Sequence, residues 1–405
     1  MATYSRLMIS ELDERVAEWR ADTEGCANVV HFNNAGSSLP PRPVVAAVID
    51  HLQLEASIGG YEAEAVAGPE LAAVPDHIAA LINAARSEIA LVENATRGWD
   101  MAFYSIPFAA GERIITGVAE YASNYLAFLQ ARAQHGVEIV VCPDDSSGQI
   151  DVDALERLCD ARTRLIAITH VPTNGGLVNP AVEIGRIARA KGVRYLLDAC
   201  QSVGQLPIDV EAIGCDFLSA TGRKFMRGPR GTGFLYANRA TTAGLHPPFV
   251  DLHAATWTSR DEYRLADDAT RFENWESYVA GRLGLGVAAR YALDIGLDVI
   301  EARIARLSSR LRSELAAVAG ITVRDKGLRQ SGIVTFSHAS VEPTTIQSEL
   351  RRRSINTSVS SRASTRLDFE GRDIDNVVRA SVHYFNTDDE IEMLIASVRD
   401  IVGAV

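Results

Sequence analysis

Lys224 stands in Thr221-Gly222-Arg223-Lys224, with Gly228-Pro229-Arg230-Gly231-Thr232-Gly233 close behind, so its amine sits on a tight turn whose glycines let backbone approach a ligand. Upstream, the apolar run Tyr195-Leu196-Leu197 ends in Asp198 and continues as Ala199-Cys200-Gln201. Such a run reads as a buried parallel strand that carries a carboxylate to its C-terminal end, the edge where open α/β sheets bind ligands. Taken singly, a lysine near glycines is more often a solvated loop cation, and a strand-terminal Asp more often caps the next helix. At successive strand ends the two share one chemistry: pyridoxal phosphate uses a lysine for its Schiff base and an acidic group to keep its ring nitrogen protonated, which makes the ring an electron sink. Glu93-Asn94-Ala95-Thr96-Arg97-Gly98 follows the strand-like Ile89-Ala90-Leu91-Val92. It offers amide hydrogens and a hydroxyl ahead of a helix expected over 99–105, which is what a phosphate needs; alone it would be a routine N-cap.

These groups require a frame. From about Asn33 to Tyr236, strand-like runs such as Arg113-Ile114-Ile115-Thr116, Val137-Glu138-Ile139-Val140-Val141 and Leu165-Ile166-Ala167-Ile168-Thr169 alternate with helical patterns. That alternation predicts an α/β fold with a mostly parallel central sheet and helices on both faces. A Pro, Gly and aromatic stretch from Leu245 to Trp257 breaks the rhythm, and long amphipathic helices follow from Tyr278 to Arg312. The C-terminal third reads as a smaller α+β domain with strands at 332–336 and 377–382 and a last helix from Asp388. The expected division is an N-terminal segment over 1–30 packing on the small domain, a large cofactor-binding domain over 31–265 and the small domain over 266–405.

Composition narrows the function classes. With 405 residues, 47% hydrophobic and 23% charged, the chain has the make-up of a globular enzyme. Its net charge of -12 argues against nucleic acid or an anionic membrane as a main partner, because both select basic surfaces. The first residues, Met1 to Arg6, lack an apolar core, and no apolar run long enough to span a bilayer follows, so the expected location is the cytoplasm. Cys26, Cys142, Cys159, Cys200 and Cys215 are scattered as reduced thiols would be, and Cys200 reads as a packing residue. No His pair or His-Cys cluster has metal-ligand spacing, so no metal is expected.

In this order, from Asn33-Asn34-Ala35-Gly36 to Tyr384-Phe385-Asn386-Thr387, the residues resemble those of the class V aminotransferase and cysteine desulfurase group of fold-type-I pyridoxal-phosphate enzymes. The resemblance implies that Lys224 carries the cofactor, Asp198 pairs with its ring nitrogen and Gln201 bonds its phenolic oxygen. Ala95, Thr96, Arg97 and Thr221 would surround the phosphate, joined by Arg223 where desulfurases have a histidine. Tyr121 stands where much of the group stacks a histidine on the ring, and Thr173 where it has an Asn near the cofactor oxygen. Arg379 resembles the clamp for the substrate α-carboxylate, with Asn34 also on the substrate side. His170 reads as a core histidine. The group also implies a homodimer with shared active sites, to which Phe272-Glu273-Asn274-Trp275-Glu276-Ser277-Tyr278 would contribute in place of a small phosphate loop.

One departure bears on the reaction. Desulfurases carry a nucleophilic cysteine on a loop that corresponds to Ser358-Val359-Ser360-Ser361-Arg362-Ala363-Ser364-Thr365-Arg366, and this stretch has none. Persulfide transfer to a loop thiol is thereby excluded in its usual form, and Arg362 and Arg366 become candidates to recognise a second polar group of the substrate. The expected activity is C–S β-lysis of a cysteine-derived conjugate. The alternatives are transamination, epimerisation as in isopenicillin N epimerase-like relatives, and decarboxylative oxidative deamination. A noncatalytic regulator would carry a basic DNA-binding appendage, and none is visible.

Overall fold

The computed structural model describes residues 14–404. The Met1 to Arg6 reading, and the first part of the segment expected to pack on the small domain, fall outside them.

Parallel strands covered on both faces must be apolar throughout, and Tyr195, Leu196 and Leu197 are each fully buried. Seven strands form the larger sheet: β1 (Ile89–Val92), β2 (Arg113–Gly117), β3 (Glu138–Cys142), β4 (Thr163–Thr169), β5 (Arg194–Asp198), β6 (Phe217–Thr221) and β7 (Gly233–Ala237). They lie in the order β1-β7-β6-β5-β4-β2-β3. β7 runs antiparallel to β1 and β6, and the remaining pairs are parallel. The mostly parallel sheet expected from the sequence is therefore present. Because β1 and β7 both pair antiparallel, β1 points the same way as β6, and the ends of β1, β2, β4, β5 and β6 open onto one edge.

The second sheet is antiparallel, built from β8 (Ile321–Val323), β9 (Ile333–His338), β10 (Ser358–Ser361) and β11 (Asn376–Ser381) in the order β8-β9-β11-β10. The principal helices are α1 (Arg42–Ile58), α2 (Gly68–Ile82), α3 (Ala95–Phe103), α4 (Ala122–His135), α5 (Val279–Ile295), α6 (Leu297–Ala316) and α7 (Asp388–Gly403). A capping box of Thr387 and Glu390 starts α7. No single helix among the described residues is long and apolar enough to cross a membrane.

Two local readings change. The helix expected over 99–105 starts at Ala95 instead, because the Asn94 side chain accepts a hydrogen bond from the Arg97 amide and caps it four residues earlier. The stretch after Leu245 holds a hairpin of Ala255–Ser259 and Glu262–Leu265 that the Pro- and aromatic-rich sequence concealed. Helix α5 packs against α1 and α2, beside the larger sheet. We therefore propose that the chain passes from one unit to the other at Gly296, between α5 and α6, later than the boundary expected after residue 265. Of the described N-terminal residues, Arg20 ion-pairs with Glu390 of α7 at 2.8 Å, while Thr23 accepts from Arg227 near Lys224 at 2.5 Å. The segment thus touches both halves of the fold.

Candidate active site

The C-terminal edge of the larger sheet surrounds a cavity of about 520 Å³. Strand β1 delivers Glu93 to Thr96 to it, β2 delivers Tyr121, β4 delivers Thr173, β5 delivers Asp198 to Gln201, and β6 delivers Thr221 to Lys224; Arg230 and Gly231 arrive just before β7. Adjacent strands fix the central pair. Asp198 lies opposite Ser219 in the β5–β6 register, and Lys224 follows on the turn after β6. That turn needs Gly222, since a Cβ there would collide with the Thr232 hydroxyl and approach Leu285 to 2.9 Å. Its far side is pinned by Arg227, a buried non-glycine residue in the left-handed region with φ 60°, whose guanidinium donates to Leu39 O at 2.8 Å and to the Tyr384 hydroxyl.

Asp198 is held from behind. One carboxylate oxygen accepts from the Cys200 amide and the other from Asn124 Nδ2, both at 2.9 Å. The same Asn124 nitrogen lies 2.9 Å from Glu120, which also accepts from the Tyr121 amide, Thr116 and Thr169. Burial raises the pKa of the Glu120 carboxyl, with the Thr169 hydrogen bond opposing the shift and the charge of Asp198 adding to it. Neither Glu120 nor Asn124 figured among the sequence candidates. A polar residue one turn into α4, within a strand-to-helix loop already assigned to the ring, was the available signal.

Lys224 Nζ donates to Cys200 Sγ at 3.2 Å, so Cys200, read from the sequence as a packing residue, packs against the amine at the cavity wall. Burial raises its thiol pKa, an effect that Lys224 opposes. Gln201 donates to Ala35 O at 3.0 Å, and its Oε1 is buried without a partner among the described residues. Arg379 is buried and is not among the residues that line the cavity; it stands behind one that does, its Nη1 reaching Thr173 Oγ1 at 2.7 Å and its Nε reaching Ser358 Oγ at 3.2 Å. Burial, then repulsion from Arg223, lowers its pKa to about 10.

Ala95, Thr96, Tyr121, Thr173, Asp198, Gln201, Thr221, Arg223 and Lys224 thus share one cavity. Arg97 does not join them: its guanidinium turns to Asn274 at 3.3 Å and lies over the Phe249 ring. Nor does Asn34, which is fully buried, donating to Ser381 O and accepting from Ser38, each at 2.7 Å. It shapes the turn whose Ala35 and Gly36 carbonyls face Gln201 and Arg223. His170 is buried, its pKa lowered to about 3 by burial, as a core histidine should be. Arg362 and Arg366 pair with Asp375 and Glu370, each at 2.8 Å.

The donor set fits pyridoxal phosphate. The first turn of α3 presents the Ala95 and Thr96 amides for a phosphate, Asp198 supplies a carboxylate for the ring nitrogen, and the lone acceptor Gln201 Oε1 asks for a donor such as the ring hydroxyl. Lys224 points into the space between.

Comparison with known proteins agrees. A probable cysteine desulfurase of Methanothermobacter thermautotrophicus is 29% identical over 399 residues, 96% of this chain and 98% of the relative. One from Xylella fastidiosa is 30% identical over 393 residues, 93% of this chain and 92% of the relative. The apo structure of a cysteine desulfurase from Thermococcus onnurineus NA1 superposes with a TM-score of 0.88 at 25% identity, covering 96% of this chain and 98% of that one. The fold is that of fold-type-I pyridoxal-phosphate enzymes. Residues 30–394 match the family described as Aminotransferase class-V, and the chain belongs to that family of pyridoxal-phosphate-dependent enzymes.

Proposed function

We propose that the protein is a C–S β-lyase acting on a cysteine-derived conjugate. The observation that carries this reading is the pairing of a full proton-transfer and carboxylate-binding set with a cysteine-free segment over 358–366, which abuts the Arg379 side chain through Ser358. The relatives above are named as cysteine desulfurases or probable cysteine desulfurases. This chain keeps the groups that would work at Cα and Cβ but offers no loop thiol to receive sulfur.

Pyridoxal phosphate, when bound, supplies the electron sink that makes the Cα proton removable. The chain's residues do the rest. Arg379 grips the substrate α-carboxylate with a planar pair of N–H donors and so fixes which Cα bond faces Lys224. The Lys224 amine takes the Cα proton. Asp198, oriented by Asn124 and the Cys200 amide, holds a proton on the ring nitrogen. The Cβ–S bond then breaks with its electron pair leaving on sulfur. Overall, the conjugate and one water become a thiol, pyruvate and ammonium.

The same reading includes a homodimer in the cytoplasm. Trp257 and Trp275 are 73% and 59% exposed in the single chain, a cost in water that a second copy would remove. Sedimentation should give twice the 43.8 kDa chain mass. Five unpaired cysteines suit a reducing compartment.

The deciding experiment incubates purified holoenzyme with S-substituted cysteines and no keto acid. Continuous release of pyruvate and thiol supports the lyase. A stop after one equivalent, with the cofactor left in its amine form and turnover restored only by a keto acid, identifies a class V aminotransferase instead.

A further inference from the structure

The basic groups around the cavity outnumber their acidic partners. Arg362 and Arg366, the arginines that the sequence offered for a second substrate group, are neutralised by Asp375 and Glu370. Arg379 and Arg223 are not. Arg379 is buried, and its bonds go to the neutral oxygens of Thr173 and Ser358. Arg223 lines the cavity and donates to the Gly36 carbonyl. No ion pair among the described residues involves either of them. The acids that line the cavity are committed elsewhere: Asp198 to Asn124 and the Cys200 amide, Glu93 to Asn274 at 3.0 Å.

The location of Arg223 matters as much as its charge. The Gly36 turn is bound to β11, because Ala35 N donates to Ser381 Oγ at 2.9 Å and Asn34 donates to the Ser381 carbonyl. Ser381 is two residues beyond Arg379 on that strand. Arg223 is therefore tied, through the Gly36 turn, to the strand that carries Arg379, whereas the phosphate-type donors belong to a different element, the start of α3. The repulsion that Arg223 exerts on Arg379 is the electrostatic sign of the same proximity. Two guanidiniums close enough to repel each other, one of them desolvated, form a site for two negative charges.

We propose that Arg223 is a specificity-determining residue on the substrate side, and that the substrate is an amino acid with a second acidic group, a carboxylate or sulfur oxyanion, bound by Arg223 while Arg379 holds the α-carboxylate. This moves Arg223 away from the phosphate role that its place before Lys224 suggested. The inference rests on reading the cavity as an amino-acid site, and it does not depend on which bond breaks.

Calorimetric titration of the holoenzyme with succinate and with butyrate tests it without turnover. The dianion should bind at least about tenfold more tightly than the monoanion. In Arg223→Gln the advantage of succinate should vanish while butyrate binding and the cofactor retained on dialysis stay as in the wild type. Equal affinities in the wild type overturn the proposal, and that comparison needs no variant to fold. An Arg223→Gln protein that keeps the succinate preference but loses cofactor on dialysis also overturns it and returns Arg223 to the phosphate. If neither probe displaces any amino acid substrate, the amino-acid reading of the cavity itself fails. Pyruvate release, assayed separately, reports on the lyase reading alone.

Discussion

The Lys224 amine lies 3.2 Å from the Cys200 sulfur, the only cysteine among those lining the cavity. A thiol so placed invites a nucleophilic role, but burial raises its pKa and keeps it protonated at neutral pH. Cys200→Ala should leave cofactor binding intact and change turnover by no more than about threefold, an effect of lost packing alone. Pyruvate assays of the variant check this, and loss of all sulfur release would show that the thiol takes part.

Lys224→Ala should lose the covalent attachment of cofactor and with it roughly 10²–10⁴ in rate, the usual contribution of a positioned acid–base group. Borohydride reduction followed by peptide mapping provides the check. A reducible lysine adduct persisting in the variant would assign the cofactor to another lysine.

Glu120 gives a pH signature. Its carboxyl pKa is higher folded than unfolded, so between the two values the native state binds the extra proton and stability falls as pH rises. Below the unfolded value both states are protonated and the penalty disappears. Glu120→Gln should accordingly gain stability over the wild type as pH rises above the ordinary glutamate value of about 4. Urea unfolding at several pH values measures it, and a difference that is flat or shrinks with pH would contradict the assignment.

Arg379 should bind anions uniformly from pH 6 to 9, because its pKa, lowered by burial to about 10, still leaves it charged there. Binding should then weaken as pH rises through 10, well below where an exposed arginine loses its proton. Arg379→Lys should lose at least about tenfold in butyrate affinity, since an ammonium cannot reproduce two parallel donors. Calorimetry across pH reads both effects.

The Arg227 guanidinium, buried against Leu39, Thr23 and Tyr384, ties the Lys224 turn to the N-terminal segment and to the start of the closing helix. Arg227→Met should cost at least about 2 kcal/mol, the scale set by losing charge-assisted hydrogen bonds and leaving their buried partners unpaired. Chemical denaturation checks the value. A loss below 0.5 kcal/mol would mean that the neighbours find other partners.

What was legible in the sequence follows from what each signal requires. Lys224 and Asp198 could be found because apolar runs that end in a charge, or in a Gly-rich turn, mark strand ends whatever the tertiary contacts. Arg379 and Thr173 needed the resemblance, since they meet across 206 residues of sequence. Asn124 and Glu120 were missed because a buried polar network has no periodicity, and Asn34 and Arg97 were misplaced because only the folded chain reveals which way a side chain turns. The early start of α3 was hidden by its small residues, and Asn94 as cap was the cue.

The stretch from Val30 to Gly36 has one more consequence. Val30 and His31 pair with Ile355 and Asn356, just ahead of β10, and Asn33 bridges to Ser381 on β11; the next carbonyls, of Ala35 and Gly36, receive Gln201 and Arg223. A few consecutive residues are thus fastened at one end to the antiparallel sheet and at the other to the cofactor cleft. Such a stretch couples the two: the position of the antiparallel sheet, which carries Arg379, and that of the cleft wall at Gln201 and Arg223 are set by the same few residues.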